Sequence, residues 1–475
     1  MVHEVPAVLQ SAIQTLLRER QIFGLAVCGF DREGVRFAGG FGFADLERGE
    51  RVTQETIFRV ASISKLLTTA FVLKLADSAQ LDLDRDANSY LPEPLRVTDQ
   101  AGQPAEFELR RLLSHSAGLE FGVRGVDSGN FVLSYLANGG RVRNLTDAIT
   151  GLKVNMAPGQ RVVYSNPAFN LAGFIAAQTV GLPFEEAIQQ QVLDPLGMKD
   201  SAFTSQRQGP GVATPYGELF PPKVSSKRVD RMRVLATPMG GLTTSVTDLA
   251  LFGQMLLNQG QSKGGEFLSS NAVATAMTLV ERNHPDLNQG YGLGLKVRTW
   301  RGRRAVGHDG NMPGVSTQLI LCPEDGVGAV VLTNGYALAV PHQVALLALE
   351  HLLDLPADTE LTSAPTMTTV ESKDWEALGR RVEGSYQLRD STPPGLGELL
   401  NRYLLRISVT HEAAGRLRID GSPGSDGPAW LIPTSTFGQY MIAAGVDNGT
   451  NAVVDEQPDG VHLWFGHATH FYKRR

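Results

Sequence analysis

The stretch ASISKLLTTA, residues 61–70, puts two serines and a lysine within four positions at the head of an apolar run. Serine is a preferred helix N-cap, because its oxygen accepts a hydrogen bond from an unpaired amide of the first turn. Ser62 and Ser64 can therefore be read as the polar start of a core helix. From Ile63 to Ala76 the chain is apolar on most faces, the pattern of a helix buried all round. A lysine in its first turn is then desolvated, which disfavours the ammonium and leaves an amine able to act as a base. Ser62 and Lys65 are three apart and share a helix face, whereas Ser64 and Lys65 are adjacent and point apart. If one of the serines is a nucleophile, it is Ser62, at a helix start whose amides suit a developing oxyanion.

The flanking chain sets the architecture. Residues 6–20 carry apolar positions at helical spacing, followed by two strand-like runs at 23–30 and 35–45. A middle rich in helices and loops includes 108–119, 166–181 and 247–260. Strand patterns return at 291–298 and 317–335, and a helix at 341–354 closes the unit. Strands at both ends with helices between them predict an α+β fold: one antiparallel sheet built from the two ends, flanked by helices, with a helical subdomain inserted. Residues 356–375 lose periodicity and gain Thr, Ser and Pro, which reads as a linker between a unit at 1–355 and a module at 376–475. Short alternating runs in that module predict a separate all-β barrel or sandwich.

Composition narrows the function classes. With 42% hydrophobic and 19% charged residues the chain reads as an ordinary globular protein. A formal charge of -6 offers no basic footprint for nucleic acid. No apolar run approaches the roughly 18 residues of a membrane span, and the N-terminus lacks the pattern of a signal peptide, so a cytoplasmic location is expected. Cys28 and Cys322 are too few for a disulfide framework and read as buried thiols. His467 and His470 have no third ligand at metal spacing, and neither a metal nor a cofactor is expected.

Besides Ser62-x-x-Lys65 the chain holds a single Tyr-x-Asn, Tyr164–Asn166, and a single His-x-Gly, His308–Gly310. In this order, and with FRVASISK (58–65), LLSHSAGL (112–119), PMGGLTTSVTDLALFG (238–253), YGLGL (291–295) and GHDGNMPGVST (307–317), the chain resembles the serine hydrolases related to class C β-lactamases. That family includes penicillin-binding-protein-like D,D-peptidases, D-aminopeptidases and esterases. The resemblance covers about residues 6–350 and implies a β-lactamase/D,D-peptidase-like fold.

Carried over to these positions, it implies that Ser62 forms an acyl-enzyme, that Lys65 and Tyr164 share the proton work, and that Asn166 orients Lys65 and the substrate. With a reference pKa near 10, Tyr164 can serve as a base only if a neighbouring cation such as Lys65 holds its anion. The backbone amides of Ser62 and Asn311 would form the oxyanion hole, with Gly310 keeping the strand open to substrate. His308 and Asp309 stand where β-lactamases and D,D-carboxypeptidases carry Lys and Thr or Ser. A neutral imidazole beside a carboxylate should repel a substrate carboxylate and could attract an amine. The expected activity is hydrolysis of small esters or D-amino-acid-containing peptides and amides; the alternative is a penicillin-binding-like sensor or scaffold with little or no turnover. The C-terminal module is similar to the lipocalin-like domains that some relatives append to shape the cleft or to build a homo-oligomer. His115 reads as structural, and Lys263-Gly264-Gly265 as a chance imitation of Lys-x-Gly in a surface loop.

Overall fold

The computed structural model describes residues 3–356 except 120–125, 128–141, 220–221, 283, 288 and 338, together with 373–388, 406–412, 416–420, 429–433, 439–443, 451–457, 460–465 and 469–474. Its main sheet has eight antiparallel strands, in the order Gly290–Tyr291, Lys296–Trp300, Arg303–Met312, Val315–Cys322, Val327–Thr333, Gly24–Asp31, Val35–Asp45 and Glu50–Arg51. The two ends of the unit meet where Leu25 pairs with Thr333 and Cys28 with Val330. This is the sheet expected from the strand patterns at the two ends.

Strand alternation distributes the core to both faces. Ala26, Cys28, Phe30, Leu319, Leu321, Val330 and Leu332 join the larger cluster, with the helices Ser64–Asp77, Asn166–Val180 and Val246–Leu257. Leu25, Val27, Ile320, Cys322, Ala329 and Val331 point the other way, onto the helices Ala7–Glu19 and Ala339–Leu352. The two cysteines thus lie on opposite faces as buried free thiols.

Three local expectations change. The helix beginning at Ser62 starts instead as a 3-10 turn, Ala61–Ile63, that runs into the α-helix Ser64–Asp77 without a side-chain cap. The strand expected at 291–298 is a hairpin, with Tyr291 opposite Lys296 across a turn. Gly294 stands in that turn at φ +73°, and a Cβ there would lie 2.1 Å from Thr69 Oγ1. The third change lies in the C-terminal part, which opens with a helix, Lys373–Val382, whose Trp375, Leu378 and Val382 pack against Tyr386, Ile407 and Leu463. The eight strands that follow, between Gly384 and Arg474, form a closed barrel.

The barrel touches the rest of the chain. Leu287 is fully buried in a cluster with Val453 and Trp464, and the His284 ring lies 5.7 Å from that of Trp464. Trp464 thus reaches the loop that leads into Tyr291. Phe471 lies in the barrel core. No helix among the described residues is long and apolar enough to cross a membrane.

Candidate active site

Ala61 takes the left-handed conformation at φ 49°, a region that non-glycine residues enter at a cost. The turn is held against that cost. Thr317 Oγ1 donates to the Val60 carbonyl at 3.0 Å, and Val60 N–H donates to Leu242 O at 3.2 Å. Ser64 completes the clamp, donating to Ala61 O at 2.6 Å and accepting from Leu242 N–H at 2.9 Å. Buried and doubly bonded, Ser64 is a structural brace, while Ser62 at the crest of the turn keeps partial exposure.

Lys65 has 0% of its surface exposed. Its Nζ lies 3.0 Å from Ser62 Oγ, 2.8 Å from Asn166 Oδ1 and 2.8 Å from Met239 O. Burial pushes the ammonium well below its ordinary range; Asp309 pulls it back, and Lys296 lowers it further. A neutral amine has two N–H groups and one lone pair. Two of its three partners can only accept, and the third is a hydroxyl able to donate. In the neutral form favoured by burial, the lone pair is left facing the Ser62 hydroxyl.

Asn166 is the first residue of the helix Asn166–Val180, where Ser165 caps the Ala168 amide at 3.2 Å. That cap sets the direction in which Asn166 meets Lys65. Tyr164 hydrogen-bonds Ser62, and its ring centroid lies 5.0 Å from Lys65 Nζ. Burial drives the phenol far above its ordinary value, and the hydrogen bond with Ser62 offsets only part of this. The same burial that raises the Tyr164 phenol lowers the Lys65 ammonium, so both groups are pushed toward their neutral forms.

His308 and Asp309 sit on Arg303–Met312, the strand next to the turn. His308 is 1% exposed, and its Nδ1 lies 2.5 Å from the Asp309 carbonyl, an acceptor that requires the proton on Nδ1. Burial and then Lys296 depress the imidazole to about 3, so it is neutral at physiological pH. Asp309 does not face substrate as an uncompensated anion. Its Oδ1 forms an ion pair with Lys296, and its Oδ2 accepts from Asn311 Nδ2 at 3.0 Å.

Gly310 has a packing reason of its own. A Cβ there would lie 2.0 Å from Val60 O and 2.4 Å from Thr317 Oγ1, so the glycine lets the strand press on the Ala61–Ile63 turn. Asn311 follows it on the same strand, opposite Ser316.

Several participants escaped the sequence reading. Lys296 arrives through the hairpin pairing Tyr291 with Lys296, and Met239 O through the PMGGL segment. Tyr291 and His115 complete an aromatic wall, with ring centroids 4.7 Å apart, and His115 lies 4.4 Å from Tyr164. YGLGL and LLSHSAGL were the available signals, but neither discloses its partner. Lys263-Gly264-Gly265 lies on an exposed hairpin, Gln261–Ser262 with Gly265–Glu266, as expected. Among the described residues no group of His, Cys, Asp and Glu could hold a metal ion.

The beta-lactamase family model matches residues 9–353. Penicillin-binding protein 4 of Amycolatopsis lactamdurans is 27% identical over 335 residues, covering 69% of this chain and 84% of its own. The octameric penicillin-binding protein homologue from Pyrococcus abyssi superposes with a TM-score of 0.62 at 22% identity, over 98% of this chain and 99% of its own. SurE, solved with D-Leu, gives a TM-score of 0.61 at 22% identity over 98% of each chain. At that identity these structures speak for the fold.

Proposed function

The chain belongs to the beta-lactamase family, and from that premise we propose a metal-independent serine hydrolase that acts through an acyl-enzyme on Ser62. The observation that carries this reading is the fully buried Lys65 amine 3.0 Å from Ser62 Oγ, with its other two partners both carbonyl acceptors. Ser62 Oγ attacks the substrate carbonyl, and its proton passes to Lys65 Nζ. The amides of Ser62 and Asn311 hold the oxyanion, an arrangement typically worth about 10²–10³ in rate per donor. Collapse breaks the bond to the leaving group, which takes a proton from the Tyr164 phenol; Lys65 restores that proton. Water then attacks the ester in the reverse sense, releasing the acid and free Ser62.

Substrates are small esters or D-amino-acid-containing peptides and amides. Lys296 compensates Asp309, which removes the strong field that would draw an amine, so esters and amides are both accommodated. The D-amino-acid arm draws support from the full-length fold likeness to a protein solved with D-Leu. Residues 1–355 form the hydrolase domain, the chain from 356 to the start of the helix Lys373–Val382 a linker shorter than the expected 356–375, and the helix and barrel a lipocalin-like module. An octameric protein of the same fold supports a homo-oligomer.

Intact mass spectrometry with a fluorophosphonate, beside a panel of p-nitrophenyl esters, D-amino-acid p-nitroanilides and nitrocefin, tests the proposal. One label on the native chain, none on Ser62→Ala, and sustained turnover are expected. Equal labelling of both proteins removes Ser62 as nucleophile, and one burst followed by silence favours the non-turnover alternative.

A further inference from the structure

Tyr164 stands in a segment, residues 161–165, that belongs to no helix or strand. Neither an intrahelical ladder nor a sheet register therefore fixes a phenol that must meet Ser62 within hydrogen-bond reach. We propose that His115 is the positioning residue that holds Tyr164 in place. This rests on the role given to Tyr164 in acyl transfer.

One residue grips the backbone on both sides of the tyrosine. The His115 carbonyl accepts from Val163 N–H at 2.8 Å, and its Nδ1 accepts from Ser165 N–H at 3.0 Å. Its ring then packs on the Tyr164 ring at 4.4 Å and 33°. Reaching both amides requires an unusual backbone: His115 sits at φ 59°, in the left-handed region. The imidazole is itself walled in, with Phe169 at 5.1 Å and Tyr291 at 4.7 Å. Tyr164 thus inherits the rigidity of a buried aromatic cluster through three contacts to a single residue.

The grip requires a neutral imidazole, because Nδ1 must accept. Burial disfavours the charged imidazolium, and the Lys296 cation adds to the effect. Accepting at Nδ1 puts the proton on Nε2, which is buried and finds no acceptor among the described residues. A histidine retained only for stability could turn that proton toward a carbonyl. Here the ring orientation serves Ser165 and Tyr164 instead.

The test compares two substitutions. His115→Phe keeps the ring and the carbonyl but loses the acceptor. His115→Asn keeps an acceptor near Nδ1 and tolerates the left-handed backbone. For His115→Phe the fluorophosphonate rate at Ser62 should fall about 10- to 100-fold, with ester KM changing by no more than about twofold and the acid limb of the pH–rate profile displaced. His115→Asn should recover much of that rate and restore the native profile. Should His115→Phe fail to fold, His115→Gln, with its acceptor one methylene too far out, takes its place. Two outcomes overturn the proposal: equal losses for the acceptor-bearing and acceptor-free variants, or a lowered thermal midpoint with native rate and native pH profile. If the native chain itself leaves Ser62 unlabelled, the hydrolase reading fails instead.

Discussion

Gly310→Ala is the substitution whose consequence the geometry constrains most closely. The added methyl would stand 2.0 Å from Val60 O, 3.0 Å from Val60 C and 2.4 Å from Thr317 Oγ1. Two of these atoms are backbone, so no side-chain rotation relieves the contact. Bringing the methyl to an ordinary separation of at least 3.0 Å from Val60 O requires the strand and the turn to part by about 1 Å. That parting breaks the 3.0 Å bond from Thr317 Oγ1 to Val60 O and withdraws the Asn311 amide from the Ser62 amide. A misplacement of about 1 Å can cost about 10² in rate, and loss of an oxyanion donor about 10²–10³. Overpacking adds about 1–3 kcal/mol of destabilisation. Time-resolved mass spectrometry of fluorophosphonate labelling should therefore show a rate at least about 10²-fold slower, beside a lowered thermal midpoint. Gly34→Ala is the control, since its methyl would meet nothing within 4 Å. A Gly310→Ala rate within about threefold of native, with the midpoint unchanged, would refute the close strand–turn contact.

Ser64→Ala should still be labelled at Ser62 but unfold at lower temperature, because it strands the buried Leu242 amide at a cost of about 1–3 kcal/mol; unaltered stability would remove Ser64 as the brace of the turn. Lys65 is depressed well below 10.5, so labelling should rise from the acid side and level off below the ordinary lysine range; a rise centred near 10.5 contradicts the amine assignment. By the same linkage the unfolded chain binds more protons between the two values, so the stability of the native chain relative to Lys65→Met should increase as pH rises toward 10.5. Asp309→Thr frees Lys296 from its ion pair and should speed acylation by benzylpenicillin, with p-nitrophenyl acetate hydrolysis within about a few fold; unchanged acylation would place Lys296 out of reach of the substrate carboxylate. Trp464→Ala uncovers Leu287 and should change the relative rates across short and long acyl esters more than the labelling of Ser62; identical ester profiles would sever the barrel from the cleft.

The sheet and the motif residues were legible because their signals are local. Alternating runs at the two ends announced the strands, and the i, i+3 spacing of Ser62 and Lys65 survived the change from an α-helical start to a 3-10 turn. What was not legible depends on contacts distant in sequence. Nothing in ASISK marks Ala61 as left-handed, since the conformation is imposed by Thr317, Leu242 and Ser64. The charge on Asp309 was visible and its partner was not, because Lys296 reaches it only once the Tyr291–Lys296 hairpin is laid beside the strand. The helix Lys373–Val382 is a different case: Trp375, Leu378 and Val382 already lie at helical spacing, and the Thr- and Pro-rich residues before them masked it.

The contact between Leu287 and Trp464 has a consequence for the order in which the chain is made. Ser62, Lys65, Tyr164 and His308 are all synthesised more than 150 residues before Trp464. A nascent chain therefore holds these four residues while Leu287, buried in the finished protein, still lacks part of its cover. The loop leading to Tyr291 gains that cover only when Trp464 has been made. The cover over Leu287 is thus completed only after the residues of the candidate site have been made, by a segment more than 150 residues further along the chain.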